Sequence, residues 1–125
     1  MGMSGNNKRI LIVDDDKFNI TALAHYLQPP YEIAVALNGA SAIEEAEKHR
    51  PDMILLDVIM PQMNGFDVIT KLKKSEVTMN IPIIFITSLD TNEIMKKGLA
   101  LGAVDYITKP YVKADVKAKV DKYLS

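Results

Sequence analysis

Three consecutive carboxylates, Asp14, Asp15 and Asp16, follow directly on the apolar run Ile10-Leu11-Ile12-Val13. Such a run reads as a buried strand, so the acids stand at its C-terminal end. Like charges this close repel one another, and a hard divalent cation is their natural counter-charge. Magnesium takes oxygen ligands, commonly one or two carboxylates with waters and phosphate oxygens. Further polar groups hold equivalent places: Asp57 after Met53-Ile54-Leu55-Leu56, Thr87 and Ser88 after Ile83-Ile84-Phe85-Ile86, and Lys109 before Pro110. Together they suit phosphoryl transfer. One carboxylate acts as nucleophile and forms an acyl phosphate, others hold Mg²⁺, and an ammonium and a hydroxyl stabilise the remaining oxygens. Each residue alone has an ordinary explanation: an acidic run caps a helix, Asp is common at strand-end turns, Thr is a usual strand residue, and a lysine before a turn proline is solvated. Their joint occurrence at the ends of four strands is what favours chemistry.

The elements that must position them alternate. Short β-branched runs recur at Arg9 to Val13, Tyr31 to Leu37, Met53 to Leu56, Ile81 to Thr87 and Val104 to Thr108. Between them lie helical stripes: Ile20, Leu23, Ala24 and Leu27; Ala42, Ile43 and Ala46; Val68, Ile69 and Leu72; Ile94, Gly98 and Leu101; Val112, Val116, Val120 and Tyr123. Pro29-Pro30 ends the first helix, while Asn38-Gly39 and Asn64-Gly65 open the second and third. Five strand–helix units in a row predict an α/β fold, a doubly wound, mostly parallel five-stranded sheet with helices on both faces. The polar groups would then share the carboxyl edge of that sheet.

The 125 residues suit one domain, with 48% hydrophobic and 25% charged residues. A net charge of −1 gives no reason to expect a nucleic-acid partner. The absence of cysteine excludes a disulfide framework and thiolate metal sites, and fits a cytoplasmic location. No run is long enough to expect a membrane span. Residues 1–7 read as a disordered lead or expression remnant, and 8–125 as the folded domain. His25 and His49 fall away from the strand ends and are read as structural or solvated.

From about Lys8 onward the chain closely resembles the receiver domain of two-component response regulators (CheY-like). The resemblance is carried by Ile12-Val13-Asp14-Asp15-Asp16, by Leu55-Leu56-Asp57 with Met60-Pro61 and Gly65, by Ile86-Thr87-Ser88, and by Gly102-Ala103 leading to Tyr106-Ile107-Thr108-Lys109-Pro110. It implies a flavodoxin-like (βα)5 fold with strand order 2-1-3-4-5. It implies Asp57 as phosphoacceptor, with Mg²⁺ held by Asp15 directly, by Asp14 mainly through water, by Asp57 and by the Ile59 backbone carbonyl. Thr87 and Lys109 would contact the phosphoryl group, and Thr87 and Tyr106 would form a switch, Tyr106 turning inward as Thr87 moves. Asp16 would lie at the first helix's N-terminus, and the Lys109-Pro110 peptide would be cis. The implied phosphodonor is a sensor histidine kinase or histidine phosphotransfer protein, and the implied recipient an output domain or downstream protein. A phosphorylation-dependent homodimer would use the fourth helix, fifth strand and fifth helix. Such a domain is no enzyme beyond its own phosphorylation and dephosphorylation. Ile59 and Leu89, both apolar, would flank the path of the hydrolytic water and slow that dephosphorylation.

Other readings fit less well. A haloacid-dehalogenase-type phosphohydrolase needs a second aspartate at position 59, which is isoleucine. A flavodoxin needs a Ser/Thr/Gly-rich phosphate loop where three aspartates stand, and a dinucleotide-binding domain needs a Gly-rich turn there. The strongest alternative is a pseudo-receiver that binds partners without phosphorylation, although every reactive position is filled.

Overall fold

The computed structural model describes residues 7–88 and 91–124. The sequence expectations for residues 1–6 and Leu89 therefore fall outside the described residues. The elements alternate as β1 (Arg9–Val13), α1 (Lys17–Leu27), β2 (Glu32–Ala36), α2 (Gly39–His49), β3 (Met53–Asp57), α3 (Gly65–Lys74), β4 (Ile83–Thr87), α4 (Asn92–Leu101), β5 (Asp105–Thr108) and α5 (Lys113–Leu124). All strand pairs are parallel and the order is β2-β1-β3-β4-β5, as expected.

The sheet is covered on both faces, which is why β3 and β4 are buried along their whole length. Side chains alternate between two cores. Ile10, Ile12, Met53, Leu55, Ile84 and Ile86 pack with Leu23 and Leu27 of α1 and Val116 and Val120 of α5. Leu11, Val13, Ile54, Leu56 and Phe85 pack with Ala42 and Ala46 of α2 and Val68, Ile69 and Leu72 of α3. Each fully buried Leu or Ile contributes about 1.5–3 kcal/mol of transfer free energy, so the central strands hold most of the drive to fold.

Polar caps set where the helices start. Asp16 caps α1, accepting from the Phe18 N–H at 2.9 Å, as expected. Asn38 caps α2, and Asn64 with Asp67 forms a reciprocal capping box on α3. The expected strand limits overshoot at several ends. Tyr31, Leu37, Ile81 and Val104 lie outside their strands, and Pro82 has no N–H with which to extend β4. Val112 precedes α5 and is exposed; its carbonyl accepts from the Val116 N–H.

Candidate phosphoacceptor site

β1 and β3 are neighbours, with Val13 beside Leu56, at the point where the strand order reverses. Doubly wound sheets open a crevice there. Asp14 and Asp57 stand on this edge, both buried, while Asp15 is exposed. One carboxylate oxygen from each of the three lies within 4.8 Å of the others. The structure thus brings together the three acids expected from the sequence.

Their surroundings fix them. The Asp14 carboxylate accepts from the Asp16 N–H at 2.9 Å and from the Asn19 amide at 3.2 Å. Asp57 accepts from the Ile59 N–H at 3.3 Å. The Lys109 ammonium reaches between them, 3.4 Å from Asp57 and 3.5 Å from Asp14. Lys109 is held by its own N–H, which donates to the Thr87 carbonyl at 2.8 Å, and the Lys109-Pro110 peptide is cis. Thr87 ends β4 fully buried, in register with Thr108. Burial first, then the Asp14 charge, raises the Asp57 carboxyl from 3.8 to about 6, against the lowering pull of the Lys109 ammonium and the Ile59 N–H. Charge repulsion alone, as read from the sequence, understates this. Burial of the Asp57 carboxyl is the larger cause.

The β3–α3 connection folds tightly over Asp57. The Gly65 N–H donates to the Val58 carbonyl at 2.8 Å. A Cβ on Gly65 would lie 2.4 Å from the Asp57 carbonyl oxygen. Ile59 stands at the rim with its side chain exposed.

Tyr106 lies away from the acids, on the α4 side of β5. Its ring is already inward, 4% exposed, and stacked on Phe85 with centroids 6.3 Å apart. The resemblance implies that Tyr106 turns inward as Thr87 moves, a population shift between two states, and the ring described here is in the inward one. Two residues of the neighbourhood were not singled out in the sequence. Asn19 orients Asp14, and the Tyr111 hydroxyl donates to the Asn19 carbonyl at 3.2 Å. The available signal was position: Asn19 falls in the first turn of α1, just beyond the acidic run. His25 and His49 are exposed and remote, with His49 against Glu45 at 2.7 Å.

The chain also matches a protein-family model over most of its length. The model for the response regulator receiver domain matches residues 10–121. The chain belongs to the response regulator receiver family. PleD of Caulobacter vibrioides is 45% identical over 103 residues, covering 82% of this chain but 23% of PleD. The chemotaxis protein CheY of Halobacterium salinarum is 34% identical, covering 94% of this chain and 98% of that protein. The receiver thus spans under a quarter of one relative and nearly all of another. The receiver domain of a Pseudomonas aeruginosa sensor histidine kinase, solved with a magnesium ion coordinated in its active site cleft, superposes with a TM-score of 0.87 at 26% identity, covering 94% of this chain and 98% of that one. Receiver domains are signalling modules, and among the described residues no helix of this one is long and apolar enough to cross a membrane.

Proposed function

We propose that Asp57 accepts a phosphoryl group from the phosphohistidine of a sensor kinase or histidine phosphotransfer protein. The observation that carries this is the convergence of the Asp14, Asp15 and Asp57 oxygens within 4.8 Å, with the Lys109 ammonium 3.4 Å from Asp57. The donor set is all oxygen, which fits Mg²⁺, and the magnesium described for the Pseudomonas aeruginosa receiver supports the same choice. Asp14, Asp15, Asp57 and the Ile59 carbonyl would hold the ion. When bound it neutralises charge on the phosphoryl oxygens.

The chain's own residues do the rest. An Asp57 carboxylate oxygen forms a bond to phosphorus as the N–P bond breaks, and the electron pair of that bond returns to the imidazole. Because the ionised carboxylate attacks, no base is needed. The Lys109 ammonium and the Thr87 hydroxyl bind the phosphoryl oxygens. Thr87 and Tyr106 form the switch, which favours the state already seen for the ring by population shift and changes the α4–β5–α5 face. That face would carry an output partner or a homodimer. The setting is the cytoplasm, and the only chemistry is the domain's own phosphorylation and dephosphorylation.

The test is incubation with acetyl phosphate. Gain of one phosphoryl mass that needs Mg²⁺ and is removed by hydroxylamine is expected; no gain would leave the pseudo-receiver reading. For the switch, a beryllofluoride phosphate mimic should shift NMR signals from about position 91 to Val120 as well as in the site. Shifts confined to the site would refute it.

Mg²⁺ binding should weaken in acid. Asp57 titrates at about 6 without the ion, and one proton must leave before it ligates. Affinity should therefore fall about tenfold from pH 7 to pH 5. Calorimetric titration at the two values checks this, and equal affinities would remove Asp57 from the ligand set. At pH 7, Asp15→Ala should abolish the Mg²⁺-induced rise in thermal midpoint.

Ile59 also bears on phosphate lifetime. Its apolar side chain at the rim neither binds nor orients an attacking water. Ile59→Asn should speed loss of the phosphoryl group several-fold, followed as decay of the phosphorylated species. Unchanged or slower decay would show that this position does not gate the water.

A further inference from the structure

α4 has only one buried residue, and it is a glycine, Gly98. A helix with so thin an apolar face needs another attachment to the sheet. That attachment comes from β5. The Tyr106 hydroxyl hydrogen-bonds the Ile94 carbonyl at 3.2 Å and also the Met95 carbonyl. The ring reaches them because Gly98 leaves room. A Cβ there would lie 2.6 Å from the Tyr106 hydroxyl oxygen and 2.9 Å from two ring atoms of Phe85. Glycine inside a helix is worse than alanine by roughly 1 kcal/mol, so helix propensity opposes this choice and packing must account for it. Behind the ring, the Tyr106 carbonyl accepts from Lys119 of α5, whose ammonium pairs with Asp105 at 3.4 Å. The backbone of β5 is thus held from α5 while its tyrosine side chain holds α4.

We propose that Gly98 is the seat that keeps the Tyr106 ring inward, and that the Tyr106 hydroxyl is the hook that keeps α4 on the sheet. The order of α4, and of its outward face with Glu93, Lys96 and Leu99, then follows the position of one side chain whatever the state of Asp57. The partly buried Met95 and Leu101 also touch the core, so the competing account is that they hold the helix and the hydroxyl is incidental.

Hydrogen exchange on the unphosphorylated full chain separates the two. Tyr106→Phe keeps the ring and removes only the hydroxyl. It should speed exchange in α4 by roughly five- to tenfold, the effect of losing one hydrogen bond shared between two carbonyls, and leave α1, α2 and α3 unchanged. Gly98→Ala should also speed α4 exchange, although propensity alone would slow it. It should further expose the Tyr106 ring, read as broadening of its NMR signal by a soluble spin label. Unchanged α4 exchange in Tyr106→Phe, or an equal rise in every helix, overturns the hook. Slower α4 exchange or a still-shielded ring in Gly98→Ala overturns the seat. If Gly98→Ala does not fold because of Phe85, Tyr106→Leu replaces it, with faster α4 exchange expected and unchanged exchange overturning the proposal.

Discussion

Asp57→Asn should take up no phosphoryl group from acetyl phosphate and, without Mg²⁺ at pH 7, should be more stable than the parent protein. Both results come from one environment. The amide has no anionic oxygen to form an acyl phosphate, so the loss should exceed a hundredfold, measured as phosphoryl mass gained under conditions that saturate the parent. Stability moves the other way. Burial and Asp14 raise the Asp57 carboxyl from 3.8 unfolded to about 6 folded, so the folded state favours the proton. The stability due to the protonated group is fully present below pH 4 and is lost as the pH rises through 6. At pH 7 the ionised carboxylate therefore destabilises the metal-free fold by on the order of 2 kcal/mol. The amide removes that charge and fits the same space. Urea melts at pH 7 and pH 4 give the measurement, the gain appearing at pH 7 and vanishing at pH 4. A variant that still gains an acid-labile phosphoryl group, or that is less stable at pH 7, would sink the assignment.

Much of this was legible in the residues. β1, β3 and β4 are buried on both faces, so their apolar runs are unbroken and could be read directly. β2 lies at an edge with only Ala36 buried. Its limits could not be read so well, because Tyr31 and Leu37 are apolar without being strand. Val112 shows the same confusion at α5, continuing a helical stripe from outside the helix. The placement of the acids, Thr87 and Lys109 was legible because the carboxyl ends of parallel strands share one edge of the sheet. Asn19 and the close approach of Gly98 to the Tyr106 hydroxyl were not. Their roles depend on how closely one element approaches another, and nothing local in the chain encodes that distance.

Gly65 shows how such an approach serves the site. Gly65→Ala should lower stability by about 2–4 kcal/mol, a large effect for one methyl group. Helix propensity alone predicts the opposite sign, since Gly65 opens α3 and alanine is the better helix former by up to roughly 1 kcal/mol. Space decides the outcome. The new Cβ would sit 2.4 Å from the Asp57 carbonyl oxygen and 2.9 Å from the Val58 Cα, both backbone atoms of a buried strand end. Neither can yield by changing a rotamer, so α3 must lift or β3 must shift. Gly39→Ala offers the comparison. Its Cβ meets side chains and no backbone: the Met63 sulfur at 2.7 Å, in a flexible chain that can swing aside, and the buried Val68 Cγ2 at 2.9 Å. The Gly39 variant should therefore lose less than half as much as the Gly65 variant. Because the moved backbone belongs to Asp57 itself, Gly65→Ala should also blunt the Mg²⁺-induced rise in thermal midpoint, which Gly39→Ala should keep. Urea melts of both variants, and thermal melts with and without Mg²⁺, provide the check. Equal losses, or a Gly65 variant with an unaltered Mg²⁺ response, would mean that the tight turn over β3 does not set the position of Asp57.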